Sequence, residues 1–503
     1  MAVVLAAAPL LAFAALLAAA AVARLWDYAV VRLLWRPYAI TRRFREQGIR
    51  GPSYRFLRGC NDEIRSLKEK TDGMVLDVGD HKYLPRIAPH YLKWRAQYGE
   101  PFLYWYGPQP RICIFDYELA RQILSSKSGH FVKNDAHPTL LALVGKGLGF
   151  MEGADWVRHR RIINPAFTID KLKMMTRTML GFAESMAKEL EDQASQNKNG
   201  ETKVDINRYF STTDLLEITM ATFLDVPVPG LKYLPTESNR RKWMLERKLK
   251  SLLKQIIQPR LASGEYGNND LLGVMLASCI ETNSQRGKQV DLSLSMEEII
   301  HECKLFFFAG HENTALLLTW SVYLLSIYPE WQERLRKEVL REFGSDPPNP
   351  NALGKLKEMT MVLFETLRLY SPALFMQRKT LSDMTVGSTK LPKGIAIVIP
   401  IPIMHREKEI WGEDADEFNP QRFENGISAA AKVPHGLLAF SMGPRSCIGQ
   451  NFSMLEAKST LALILQKFSF TLSPEYVHAP VDLFTLKPKF GLPVIVTPLN
   501  MCN

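Results

Sequence analysis

The sequence predicts a mainly α-helical protein led by a membrane-spanning helix. Three stretches carry that expectation: an uncharged apolar run near the N-terminus, a long apolar helix pattern closed by Pro329, and an amphipathic helix pattern closed by Pro372.

Ala2 through Ala23 contains no charged residue. As a helix rising ~1.5 Å per residue it covers ~33 Å, enough for a hydrocarbon core of ~30 Å. Arg24, Arg32, Arg36, Arg42, Arg43, Arg45 and Arg50 follow, so the positive-inside rule sets the bulk of the chain on the cytoplasmic side. A cleaved secretory peptide is disfavoured, because no positive charge precedes the run. Trp26, Tyr28, Trp35 and Tyr38 suit the headgroup layer, and "GIRGP" reads as a stiff hinge. The expected organisation is an anchor over 1–23, a basic juxtamembrane segment and hinge over 24–52, and one globular catalytic domain over 53–503.

The stretch from Ser295 to Trp331 is too apolar for a surface helix and opens with a capping box, Ser295 and Glu298. Lys304 and Glu312 argue against a second membrane span. In its middle sit Ala309, Gly310, His311, Glu312, Asn313 and Thr314. Polar groups are costly in such a place unless something uses them, and a cavity beside Ala309 and Gly310 explains the notch. The next helix reads "KLKEMTMVLFETLRLYSP". Glu365 and Arg368 are three apart and meet on a helix; alone, such a pair is a common exposed one worth under ~1 kcal/mol. Downstream, "EFNPQRF" supplies Arg422, and "FSMGPRSCIGQNF" sets Cys447 between an arginine and two glycines.

Composition narrows the function. Of 503 residues, 46% are hydrophobic and 23% charged, which fits a folded chain with a large core. The net charge of 63 − 52 = +11 comes without a dense run of Lys and Arg interleaved with aromatics. That excludes a nucleic-acid reading and favours a membrane surface or an acidic partner. The six cysteines form no CxxC pair and have irregular spacings, which argues against a disulfide scaffold or a zinc cluster.

Together these motifs resemble the cytochrome P450 superfamily, over nearly the whole chain. "FSMGPRSCIG" fits the haem-binding loop at every fixed position: Phe440, Gly443, Arg445, Cys447 and Gly449. "ETLR" fits E-x-x-R, "FNPQRF" the meander motif, "AGHENT" the oxygen-activation motif and "WVRHR" the W-x-x-x-R helix over the haem propionates. "QGIRGP", "AGHE" and "YPEWQERLRKEV" are most similar to the plant clan seventy-two branch of fatty-acid and hormone hydroxylases.

The resemblance implies a mainly α fold with a smaller β region, haem lying between the long central helix and the cysteine-loop helix. It makes Cys447 the axial thiolate that favours O–O cleavage on haem b. Backbone N–H groups at the following helix start would stabilise the sulfur's charge. Arg445, Trp156, Arg160 and Arg378 become propionate partners, and Phe440, Gly443 and Gly449 shape the loop. Glu365, Arg368 and Arg422 become a buried structural network. Glu312, Asn313 and Thr314 are the catalytic candidates. Phe308, Ala309, Ala373, Leu374 and Phe375, with parts of 134–150, are the expected apolar pocket.

Two departures stand out. Asn313 occupies the place of a usual threonine, whose hydroxyl both donates and accepts. Between "VDINRYF" and "ITMATFLDV" the chain is shorter than its family's pattern, around 205–225.

The leading expectation is a single-pass endoplasmic-reticulum monooxygenase that takes electrons from NADPH through NADPH-cytochrome P450 reductase, binds O2 and hydroxylates a lipophilic fatty acid or hormone-like terpenoid. Arg158, Arg161 and Lys432 are candidates for the reductase face. The alternatives are a haem-thiolate isomerase or dehydratase acting on lipid hydroperoxides, and a haem-binding protein with impaired turnover.

Overall fold

The computed structural model describes residues 13, 15–24, 26–134, 136, 138–197, 199–210, 234–263, 270–284 and 293–499. Most of the expected anchor and the shortened stretch from 211 to 225 fall outside them. Residues 15–24 are helical, with Leu16, Leu17 and Val22 exposed. Among the described residues, no helix is long and apolar enough to cross a membrane. The segment after Arg36 packs onto the globular body: Pro37, Ile40 and Phe44 are buried. The expected hinge is stapled there, with Leu103 N–H donating to Arg50 O at 2.9 Å. A Cβ on Gly51 would sit 1.6 Å from Leu103 O, so the close approach needs glycine.

Helices dominate and strands are few, as the sequence led us to expect. A five-stranded sheet is built from β1 (Phe102–Tyr106), β2 (Gln109–Cys113), β3 (Phe131–Val132), β5 (Phe375–Thr380) and β6 (Ala396–Pro400), in the order β1-β2-β6-β5-β3. Its β2–β6 pair is parallel and the others antiparallel. A second sheet joins β4 (Thr202–Asp205), β10 (Pro493–Pro498) and β7 (Phe468–Leu472), in the order β4-β10-β7. The hairpin of β8 (Pro480–Leu483) and β9 (Thr485–Pro488) stands apart from both.

Five helices position the site: α1 (Tyr117–Ser125), α2 (Gly153–Ile163), α3 (Ile169–Gln196), α6 (Met296–Ile327) and α9 (Gln450–Lys467). Between them run α4 (Glu237–Ser263), α5 (Leu271–Ser284), α7 (Pro329–Phe343) and α8 (Lys357–Leu369). The Ser295–Glu298 capping box opens α6 as the sequence predicts. Its C-terminal half, from Thr314 to Leu325, is buried throughout and forms the axis of the main core. Its N-terminal half meets α2, α4 and α5 in a second apolar cluster around Ile162, Ile257, Leu276 and Ile299. Between these two cores lies the polar notch.

Candidate functional site

The loop before α9 is folded tightly on itself. Cys447 N–H donates to Phe440 O at 2.9 Å, and Ser446 N–H to Gly443 O at 3.0 Å. Gly443 has φ +72°, and a Cβ there would lie 2.5 Å from Leu124 O at the end of α1. Only glycine fits. Gly449, the N-cap of α9, has φ −89°, and a Cβ there would stand 4.0 Å from the Cys447 sulfur at ordinary contact. Its conformation therefore makes no demand for glycine. Cys447 is exposed as a residue, yet protein crowds its thiol. Burial pushes that thiol up, while the N–H groups of Gly449 and Gln450 and the charges of Arg160 and Lys133 pull the other way.

Beside the loop is a surplus of positive charge. Arg445 lies over the Trp156 ring at 3.9 Å, donates to Met151 O at 2.9 Å and pairs with Glu152. Arg160 reaches Ser446 O at 3.3 Å. Burial and the Arg445 charge push Arg378 down to about 10. Burial, Arg378 and Arg445 push Lys133 down to about 8. Four cations thus crowd around one carboxylate, Glu152, at a cost that an added dianion would relieve. Haem carries such a dianion in its two propionates, so these residues fit the group. The sequence reasoning missed Lys133 and Glu152. Lys133 directly follows the short strand β3, outside every motif.

Glu365 and Arg368 are both fully buried, joined by two hydrogen bonds of 2.7 and 2.8 Å. Arg368 also donates to the carbonyls of His405, Ala415 and Glu417. Arg422 Nε is 3.7 Å from Glu365, and its fork is anchored on Asp414 at 2.8 Å. Burial pushes the Asp414 carboxyl up, but hydrogen bonds from Asn419 and Arg422 outweigh it and hold the group low. Burial turns a pair of exposed type into a network whose members depend on one another.

In the notch, Asn313 Nδ2 donates to Ala309 O at 2.9 Å, back onto its own helix. Thr314 turns away from Glu312 and Asn313: its hydroxyl is 3.1 Å from Ser453 Oγ on α9. Next to it, burial pushes the Glu456 carboxyl up to about 7, against a hydrogen bond from Thr314. Glu312 is buried against Lys487, Nζ to Oε1 at 2.6 Å, with Thr485 Oγ1 at 3.4 Å. Phe308 meets Phe484 with ring centroids 5.8 Å apart.

Residues 85–215 and 212–493 match the family model described as Cytochrome P450. The chain belongs to the cytochrome P450 family. It is similar to Cytochrome P450 709B1 of Arabidopsis thaliana, at 45% identity over 93% of this chain and 95% of that one. Cytochrome P450 CYP72A616 of Paris polyphylla is 39% identical, with 96% and 98% covered. Secologanin synthase 2 of Catharanthus roseus is also 39% identical, with 95% and 96% covered. Relatives in clan seventy-two accord with the branch read from the sequence. The protein is therefore a haem-thiolate monooxygenase that works with O2 and with electrons from NADPH through a reductase.

Against this frame, the structure of the P450 brings most of the expected residues together. Arg445, Trp156 and Arg160 gather at the loop that carries Cys447, and Glu365, Arg368 and Arg422 form one buried network. The expected pocket is more scattered. Ala373 bridges to Thr485 beside Phe308, Leu374 is buried in the core, and Phe375 is exposed. Two cavities of about 360 Å³ each lie away from these residues: one beside His81 and Tyr328, one between Arg65 and Pro480. Of the reductase candidates, Arg161 and Lys432 are exposed. Arg158 is engaged by Glu298 and by Ser293 O.

Proposed function

We propose that this cytochrome P450 hydroxylates a lipophilic small molecule, a fatty acid or a hormone-like terpenoid, at the endoplasmic-reticulum membrane. The observation that carries the substrate class is the Phe308–Phe484 contact at the notch, where aromatic faces meet beside Ala309. Residues 1–23 serve as the anchor, with the catalytic domain on the cytoplasmic side.

Cys447 is the iron ligand in this reading, and Arg445, Trp156, Arg160, Arg378 and Lys133 hold the propionates. Bound haem supplies the thiolate-ligated iron at which dioxygen is reduced and one oxygen atom enters a C–H bond. Phe308, Phe484 and Ala373 orient the substrate and exclude water. Glu312 moves protons at Oε1, and Asn313 ties down the Ala309 carbonyl, work that a threonine hydroxyl would otherwise do. Arg161 and Lys432 offer the reductase a basic face.

The test is to titrate purified protein with fatty acids and hormone precursors, following the Soret band, and to assay each binder with NADPH and reductase. A hydroxylated product made from a molecule that shifts the band supports the reading. Consumption of lipid hydroperoxides without reductase, and no product with it, overturns it. Deleting residues 2–23 should release haem-containing protein from microsomal membranes, and unchanged membrane binding at high salt would overturn the anchor.

A further inference from the structure

We propose that Lys487 is a positioning residue for proton delivery, acting through Glu312 in place of the hydroxyl that Asn313 lacks.

The β8–β9 hairpin runs along one stripe of α6. Phe484 at its tip, with φ +71°, meets Phe308; Thr485 and Lys487 meet Glu312; and Leu486 O accepts from Trp320 Nε1 at 2.9 Å. At 3.6 residues per turn, residues 308, 312 and 320 step round the helix through roughly 120°, so the hairpin follows a slanting stripe of its surface. The hairpin is also tied to the segment before β5, because Leu486 N–H donates to Pro372 O and Thr485 bridges Ala373. Lys487 is therefore held over the notch from two sides. It cannot swing out to solvent without undoing the hairpin.

Lys487 is 2% exposed. Its one ion pair among the described residues is Glu312, at 2.6 Å, and no acceptor meets its N–H groups in hydrogen-bond geometry. A pair that only braces the fold gains most when every donor is used. Here the ammonium keeps unspent donors beside the notch. The neighbouring donors point elsewhere: Asn313 Nδ2 to Ala309 O, and the Thr314 hydroxyl to Ser453 and Glu456 on α9. Lys487 is thus the cation that the Glu312 carboxylate faces, and their ion pair fixes the charge beside the notch. Truncating it would leave Glu312 buried without that cation, with the Thr485 hydroxyl still 3.4 Å from Oε1.

The account rests on the monooxygenase reading but not on the substrate, so it is tested without added substrate. Holoenzyme and reductase are supplied with NADPH and O2, and NADPH oxidation, O2 uptake and hydrogen peroxide are measured together. O2 takes two electrons and two protons to leave as hydrogen peroxide, or four of each to give two waters, so the ratio reports proton supply. Lys487→Gln and Lys487→Met should shift the partition toward peroxide by about tenfold, which is ~1.4 kcal/mol. Lys487→Arg should restore it, and Glu312→Gln combined with Lys487→Met should add nothing to either alone. The infrared C–O stretch of the reduced carbon monoxide adduct should move in the uncharged variants and return in Lys487→Arg. An unchanged partition in variants that keep the red-shifted carbon monoxide band overturns the proposal. So does loss of that band in both uncharged variants, which makes Lys487 a folding residue. No NADPH oxidation by the unmodified protein would instead overturn the monooxygenase reading.

Discussion

His405 binds the carbonyl oxygen of Arg368 through Nδ1 at 3.0 Å, and its Nε2 accepts the Leu438 amide at 2.8 Å. Because Nε2 accepts, Nδ1 carries the proton, and the neutral ring couples the buried arginine to the start of the cysteine loop. Burial holds His405 down at about 3, and likewise His81 at about 3 and His478 at about 4. These groups stay neutral in the fold while the unfolded chain takes up protons below pH 6.5. Stability should therefore fall as pH drops below 6.5 and level off only near the folded values. Between pH 6.5 and about 4, His405 alone should account for about 3 kcal/mol. Urea titrations at several pH values check this, and His405→Leu should flatten the slope while losing about 2–4 kcal/mol at pH 7.

Glu365→Gln should cost about 3–5 kcal/mol, because it leaves the fully buried Arg368 without its charge partner. Arg368→Lys should fare no better, since one ammonium cannot reach Glu365 and three separate carbonyls at once. Chemical denaturation and retained haem read both variants.

Removing one buried cation should loosen haem without unfolding the chain. Lys133→Met and Arg378→Leu should each speed haem transfer to apomyoglobin several-fold. The effects should be less than additive, because each cation now raises the cost of the other.

How far these sites were legible in the sequence depends on whether the chemistry left a local pattern. The α6 helix was legible from its capping box and apolar run, and the cysteine loop from its glycines. Spacing alone made Glu365 and Arg368 legible as a pair, and their burial was legible only through the family resemblance, because spacing reports the neighbour on a helix and not the carbonyls that close around it. Lys133 and Lys487 were not legible. Lys133 follows a short strand and Lys487 lies on one, and the charges each faces come from distant parts of the chain, Arg378 and Arg445 for one and Glu312 for the other. Thr314 was read with the notch because it follows Asn313. Its hydroxyl points to Ser453, a contact set by the packing of α6 on α9.

Asn313→Thr should raise product per NADPH, assayed with a molecule that shifts the Soret band. The amide now spends a donor on Ala309 O, and a hydroxyl can both donate and accept at that point. A tenfold gain needs only ~1.4 kcal/mol. Unchanged coupling would mean that the amide already does this work.

The thiolate assignment bears the most weight, and one spectrum tests it directly: the carbon monoxide difference spectrum of the reduced protein. Cys447 lies in the tight loop at the start of α9, whereas Cys303 packs beside the apolar cluster of α6. Cys447→Ala should abolish the red-shifted Soret band while Cys303→Ala leaves it intact. A red-shifted band that survives Cys447→Ala would contradict the account.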